Sequence, residues 1–156
     1  MPSGFEGATA VVSQPSPAPR VRNVALVAHD HMKPELADWA EGQRHRLAEH
    51  CLFATGSTGR LLRQRLGLPI HRFLGGPVGG DQQIGAYIAQ GMIDVLVYFW
   101  DPLAAQPHEA DGRALLRVAT VWNVAVAGNR TSADMIITSP LFLGDYVAQP
   151  PIFERR

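Results

Sequence analysis

The chain has 156 residues, which fits one domain and is long enough to bury a core without disulfides or a structural metal. Its 14 basic and 14 acidic residues cancel, which argues against a nucleic-acid binder or an anionic-membrane binder that works through bulk charge. Apolar residues make up 46% and charged residues 18%, a charge-poor balance that hints at surface buried between subunits. Residues 1–20 are rich in Gly, Ala, Ser and Pro and read as a flexible tail, or one ordered by a neighbouring subunit. Residues 21–156 read as the folded domain. Residues 24–28 form a short apolar run, read as a buried strand. A helix is expected over 33–49, with Leu36, Trp39, Ala40 and Leu47 near one face and Pro34 in its first turn.

The second strand is expected at 51–54 and is broken by Thr55-Gly-Ser-Thr-Gly59. A helix over 60–66 stops at Gly67. Residues 70–73 read as a short strand, 75–80 as a glycine-rich loop, and 81–90 as a helix closed by Gly91. Residues 94–100 are the clearest strand, ended by Asp101-Pro102. A helix at 114–121 and a last strand at 123–127 follow. Residues 133–138 suit either a helix or a sixth strand. The lone cysteine, Cys51, excludes an intramolecular disulfide framework and a cysteine-based zinc site, and reads as a buried structural thiol. The longest strongly apolar stretch, 93–100, is too short to span a membrane. The N-terminus lacks signal-peptide features, so the cytoplasm is the expected compartment.

Apolar runs alternating with helices imply βαβ units. The expected fold is α/β: a single-domain, three-layer αβα arrangement around a mostly parallel, doubly wound, Rossmann-like sheet of five strands. Right-handed crossovers then bring every strand-to-helix loop to one edge, where ligands of such folds bind. The loops at that edge carry the polar chemistry: His29-Asp-His-Met-Lys33, Thr55-Gly-Ser-Thr58, Gly75-Gly-Pro-Val-Gly-Gly-Asp81, and Asp101 with His108 and Asp111 downstream.

Thr55-Gly-Ser-Thr58 joins a strand to a helix N-terminus, where open N–H groups and three hydroxyls suit an anion. No Lys-Ser/Thr follows at Walker spacing, so a phosphate monoester fits better than a nucleoside triphosphate. A simple helix cap by Ser57 or Thr58 fits the same residues; Lys33, one loop away, favours the anion. Asp81 opens a helix, as either an N-cap or a general base whose basicity a closed pocket raises. His29 and His108 suit neutral imidazoles that polarise a carbonyl. His29-Asp-His31 with Asp101 lacks a familiar metal-ligand spacing, so no metal is expected. Tyr98, Phe99, Trp100 and Trp122 read as core or subunit interface.

Val27-Ala-His-Asp-His-Met-Lys33, Ala54-Thr-Gly-Ser-Thr-Gly59, Gly76-Pro-Val-Gly-Gly-Asp-Gln-Gln83, Phe99-Trp-Asp-Pro-Leu103 and Pro107-His108 together closely resemble the methylglyoxal synthase family over about residues 23–140. The resemblance implies a cytoplasmic homohexameric lyase that takes dihydroxyacetone phosphate to methylglyoxal and inorganic phosphate, with no cofactor or metal. Inorganic phosphate would be product and inhibitor; nucleic acid and membrane are not expected partners. Carried over, Asp81 matches the catalytic aspartate, with His108 and Asp111 as further catalytic groups. His29, Lys33, Thr55, Gly56, Ser57, Thr58, Gly75, Gly76 and His108 match substrate-binding positions, with Asp30 and Asp101 as supporting acids. Ser57 stands where the family commonly has Thr, and Gly75 where it commonly has Ser. A family arginine near the C-terminus of an adjacent subunit reaches the phosphate; Arg155 and Arg156 are the candidates. The runner-up readings are a phosphometabolite-sensing module of the same fold and a metal-dependent hydrolase.

Overall fold

The structure is a computed structural model, and it describes residues 20–105 and 107–154. The expected tail up to residue 19, and Arg155 and Arg156, lie outside the described residues. Five strands, β1 (Asn23–Ala28), β2 (Cys51–Thr55), β3 (Ile70–Phe73), β4 (Val95–Phe99) and β5 (Ala125–Ala127), form one wholly parallel sheet in the order β3-β2-β1-β4-β5. Their apolar runs follow from burial on both faces. Val24, Leu26, Ala28, Leu52, Ala54, Val97 and Phe99 point to one side, where α1 (Lys33–Gly42), α2 (Arg44–Leu47), α3 (Gly56–Leu66) and α6 (Arg130–Ile137) cover them. Ala25, Val27, Leu96 and Tyr98 point to the other, under α4 (Gly80–Ala89) and α5 (Glu109–Val121). This is the three-layer doubly wound α/β fold. A short helix, α7 (Pro140–Leu143), follows, and its Phe142 joins the first core layer.

Several local expectations change. The helix at 33–49 divides at Gln43, just after Gly42, because glycine props up a helix poorly. Helix α3 starts at Gly56 rather than residue 60. Gly56 has φ +22 and lies so close to Gly75 that a Cβ on it would sit 2.7 Å from the Gly75 Cα. Helix α5 starts at Glu109, one turn before 114. The last strand shortens to 125–127 because Asn123, at φ 56, turns the chain ahead of it. Residues 133–137 lie in a helix, capped where the Asn129 side chain accepts from the Ser132 N–H. Cys51 is exposed rather than buried: it is the first residue of β2, at the amino-terminal end of the sheet, and burial begins with Leu52.

Candidate functional site

The strand order reverses between β1 and β4, and a cavity of about 220 Å³ opens beyond the carboxyl ends there. That is where doubly wound sheets leave a crevice. Nine of the sequence-selected residues line it: His29, Asp30, Lys33, Thr55, Ser57, Gly75, Gly76, Asp81 and His108. Gly56 and Thr58 stand behind it in the first turn of α3, Thr58 fully buried. A larger cavity, about 520 Å³, lies at the opposite sheet edge and is lined mainly by apolar groups. Its two cations are both engaged: the Arg22 guanidinium donates to the carbonyls of Leu141, Phe142, Gly144 and Tyr146, and Arg20 donates to the Tyr146 carbonyl and lies 4.0 Å from Asp94.

The anion half of the site is built by β2 and α3. Thr55 is the N-cap of α3 and makes no side-chain cap bond. Ser57 does not cap the helix either; its hydroxyl accepts from Lys33 Nζ at 2.6 Å. The Gly56 N–H is taken by the Leu74 carbonyl at 3.2 Å, so the anion would meet the Ser57 hydroxyl and the positive end of the α3 dipole beside a cation. Lys33 also pairs with Asp30 at 2.6 Å, and that bond holds the Asp30 carboxyl below its ordinary range.

The proton-transfer half comes from α4 and α5. Gly79, at φ 119, is the N-cap of α4, so Asp81 sits inside the first turn instead of capping it. Asp81 is 4% exposed. Burial, reinforced by Asp111, raises its pKa, against the opposing pull of His108 and His29. His108 Nδ1 lies 3.8 Å from Asp81 Oδ2, too far for a hydrogen bond. Both atoms are buried and lack a partner. Gly76 keeps the space beside them open: a Cβ there would stand 3.3 Å from His108 Cε1 and 3.4 Å from Asp81 Oδ1. Asp111 completes the group, its Oδ1 accepting from Gln82 Nε2 at 2.8 Å. Ligand-capable atoms of Asp81, His108 and Asp111 fall within 4.8 Å of one another, a set able to take a cation as well as to move protons.

His29 directly follows β1 and is buried, and desolvation lowers its pKa. Its Nδ1 accepts from the backbone N–H of Asp101 at 3.0 Å. Asp101 thus steadies His29 through its main chain; its carboxylate turns aside to the Leu103 N–H and towards His31. Sequence reasoning assigned Tyr98 to the core or interface alone. Its hydroxyl lies 2.9 Å from His29 Nε2, and it lines the cavity. The available signal was a phenol in an otherwise apolar buried strand, since a buried hydroxyl needs a partner.

A family model described as the MGS-like domain matches residues 35–127. The methylglyoxal synthase of Pectobacterium atrosepticum is 50% identical over 137 residues, covering 88% of this chain and 90% of that protein. That of Pseudoalteromonas atlantica is 54% identical over 133 residues, covering 85% and 98%. The crystal structure of methylglyoxal synthase from Elizabethkingia anophelis NUHP1 superposes with a TM-score of 0.82 at 43% identity, covering 87% of this chain and 90% of that one.

Proposed function

The chain belongs to the methylglyoxal synthase family, and on that premise we propose how its own residues carry out the family's reaction. The reaction is that of a carbon–oxygen lyase: dihydroxyacetone phosphate is converted to methylglyoxal and inorganic phosphate. The α3 amides, with Thr55, Gly56, Ser57, Thr58 and Lys33, bind the phosphate. His29 and His108 donate to the carbonyl and hydroxyl oxygens, beside Gly75 and Gly76. Asp81 takes a proton from the hydroxymethyl carbon. The C–H electron pair becomes the C=C bond of an enediol(ate), and the carbonyl oxygen takes the charge, where each well-aimed donor is worth about 2.7–4 kcal/mol.

The enediolate then has two fates. With the C–O bond to phosphate in its plane, reprotonation returns a triose phosphate. With that bond perpendicular, its σ* orbital overlaps the π system and phosphate leaves with the electron pair. The resulting enol takes a proton at carbon and becomes methylglyoxal. The site's main task is therefore to hold the eliminating rotamer between a fixed phosphate end and a fixed proton-transfer end. Asp111, tethered by Gln82, acts beside His108 in returning protons. The reaction uses no metal or organic cofactor.

The carrying observation is Asp81, a buried carboxylate with raised basicity and an unpartnered oxygen on the wall of a cavity that also holds Lys33 and Ser57. The finer assignments in this reading are a homohexamer, a cytoplasmic location and a role as a bypass of glycolysis, with inorganic phosphate as an inhibitor. The charge-poor composition and the exposed Leu103, Val78 and Met135 support the oligomer. Among the described residues no helix is long and apolar enough to cross a membrane.

The test incubates the full chain with dihydroxyacetone phosphate, with and without EDTA, and quantifies methylglyoxal and phosphate together. Equal release, unchanged by chelator, is expected. Phosphate without methylglyoxal overturns the elimination. Loss of both products in EDTA assigns the Asp81, His108 and Asp111 group to a metal. Sedimentation of the purified chain tests the hexamer.

A further inference from the structure

His29 is gripped at both ring nitrogens. A backbone amide can donate but not accept, so the Asp101 N–H on Nδ1 requires a lone pair there. The ring is therefore neutral, and its proton sits on Nε2. That proton is donated to the Tyr98 hydroxyl at 2.9 Å. The Tyr98 ring meets the imidazole edge-on, with centroids 5.4 Å apart, and Trp100 lies against it at 5.0 Å. Burial, with Asp81 and Asp111 nearby, pushes the Tyr98 hydroxyl well above its ordinary pKa, so it stays un-ionised.

The hydroxyl needs a notch in the helix above it. Tyr98 points from β4 into the layer covered by α5. A Cβ on Gly112 of α5 would lie 2.5 Å from the Tyr98 oxygen, a distance real Cβ atoms do not tolerate, but 3.4 Å from the ring carbon bearing it. Glycine inside a helix of 13 residues is unfavourable unless packing demands it. Here the contact too short to bear is with one oxygen atom, while Trp100 Cζ3 stands at 3.4 Å, as the Tyr98 ring carbon does.

We propose that Tyr98 is a positioning residue for His29, holding it as a single oriented Nε2–H donor, and that residue 112 is glycine to house the hydroxyl that does so. The proposal rests on the reading of His29 as a donor to a substrate oxygen. An arriving oxygen in the cavity shares the Nε2 proton with Tyr98, in a three-centre bond. Without the hydroxyl, the imidazole turns more freely about its broad terminal torsion. A smaller fraction of the free enzyme then has His29 aimed, and binding must make up the difference.

Tyr98→Phe removes one oxygen from a buried ring. It is expected to raise KM about 2- to 10-fold, the range of one net hydrogen bond, with kcat within about twofold. Histidine-labelled nitrogen NMR of the full chain reads the lock directly. The native chain should show His29 as the Nε2–H tautomer with a slowly exchanging ring proton, and Tyr98→Phe should speed that exchange. A protonated ring, an Nδ1–H tautomer or an unchanged exchange rate overturns the proposal. So does a fall in kcat with KM unchanged, which would make the hydroxyl itself a transition-state donor. A melting cycle tests the notch. Gly112→Ala should lower Tm when residue 98 is Tyr, and should leave Tm equal or higher in the Tyr98→Phe background. Equal losses in both backgrounds overturn the pairing. The NMR measurement needs no turnover, so absence of methylglyoxal and absence of the lock are separate failures.

Discussion

Replacing Asp81 by Asn should destroy activity and stabilise the fold. The native carboxyl is 4% exposed, and one of its oxygens has no partner. Burial, then Asp111, raises its pKa in the folded chain. The unfolded carboxyl ionises first as pH rises, so the folded state is penalised above that range. Stability from this group is full at low pH and is lost as pH rises through the raised folded value. Asn carries no charge and escapes the penalty. A buried unsatisfied group costs about 1–3 kcal/mol. For a domain of this size each kcal/mol moves Tm by roughly 2–4 °C. Asp81→Asn should thus melt roughly 2–12 °C above the native chain at about pH 8, with the gap closing towards about pH 4. Turnover should fall by about 10²–10⁴, the contribution of a general base. Melting curves across pH, run beside product quantification, give both readouts. A variant that keeps a large fraction of native turnover, or melts lower than the native chain at high pH, refutes the reasoning.

Lys33→Met removes the cation bonded to the Ser57 hydroxyl, and should weaken inorganic phosphate binding roughly 10- to 150-fold by calorimetry, the worth of one charge-assisted hydrogen bond; an unchanged Kd would move the anion elsewhere. Gly76→Ala puts a methyl group 3.3 Å from His108 Cε1 and 3.4 Å from Asp81 Oδ1, and should cut kcat about 10- to 100-fold with little change in Tm; native kcat would show that the space is not used. Cys51→Ser, at an exposed rim position, should shift stability by less than about 0.5 kcal/mol in urea titration. A loss of several kcal/mol would return Cys51 to the core.

The strands were legible because both faces of a parallel sheet are covered, which writes them as apolar runs such as Val24 to Ala28. The site was legible for the same reason: polar and glycine-rich segments interrupt those runs at one edge. The onset of α3 was not, because it depends on Gly56 meeting Gly75 across two loops, a contact no local propensity encodes. Cys51 misled because its neighbours are apolar, while its place as the first residue of β2, ahead of the core that Phe53 joins on the same face, leaves it exposed. Tyr98 was hidden inside an apolar strand. Its partner signal, Gly112 as the fourth residue of a helix, lies 14 positions away and means little until the sheet is assembled.

The distribution of unsatisfied polar atoms carries its own argument. Arg22 is a buried guanidinium at the edge remote from the site, and it is bound to four backbone carbonyls, as a structural charge must be. His50, at that same edge, has one bare nitrogen, but its other accepts from the Arg22 N–H and its ring packs on Phe142. Asp81 Oδ2 and His108 Nδ1 differ in kind. They are bare together, face each other across 3.8 Å, and line a cavity rather than a packed core. A small approach would let them bond and recover the desolvation they have lost. Gly56 locks the start of α3 against Gly75, the Gln83 side chain ties the Leu74 N–H to α4, and Gln82 tethers Asp111, so the surrounding elements hold the gap open. A fold that maintains such a gap forgoes stability where a substrate's own oxygens and C–H bond would fill it. That is the arrangement expected of proton abstraction, and it is why the stabilising substitution at Asp81 should also be the inactivating one.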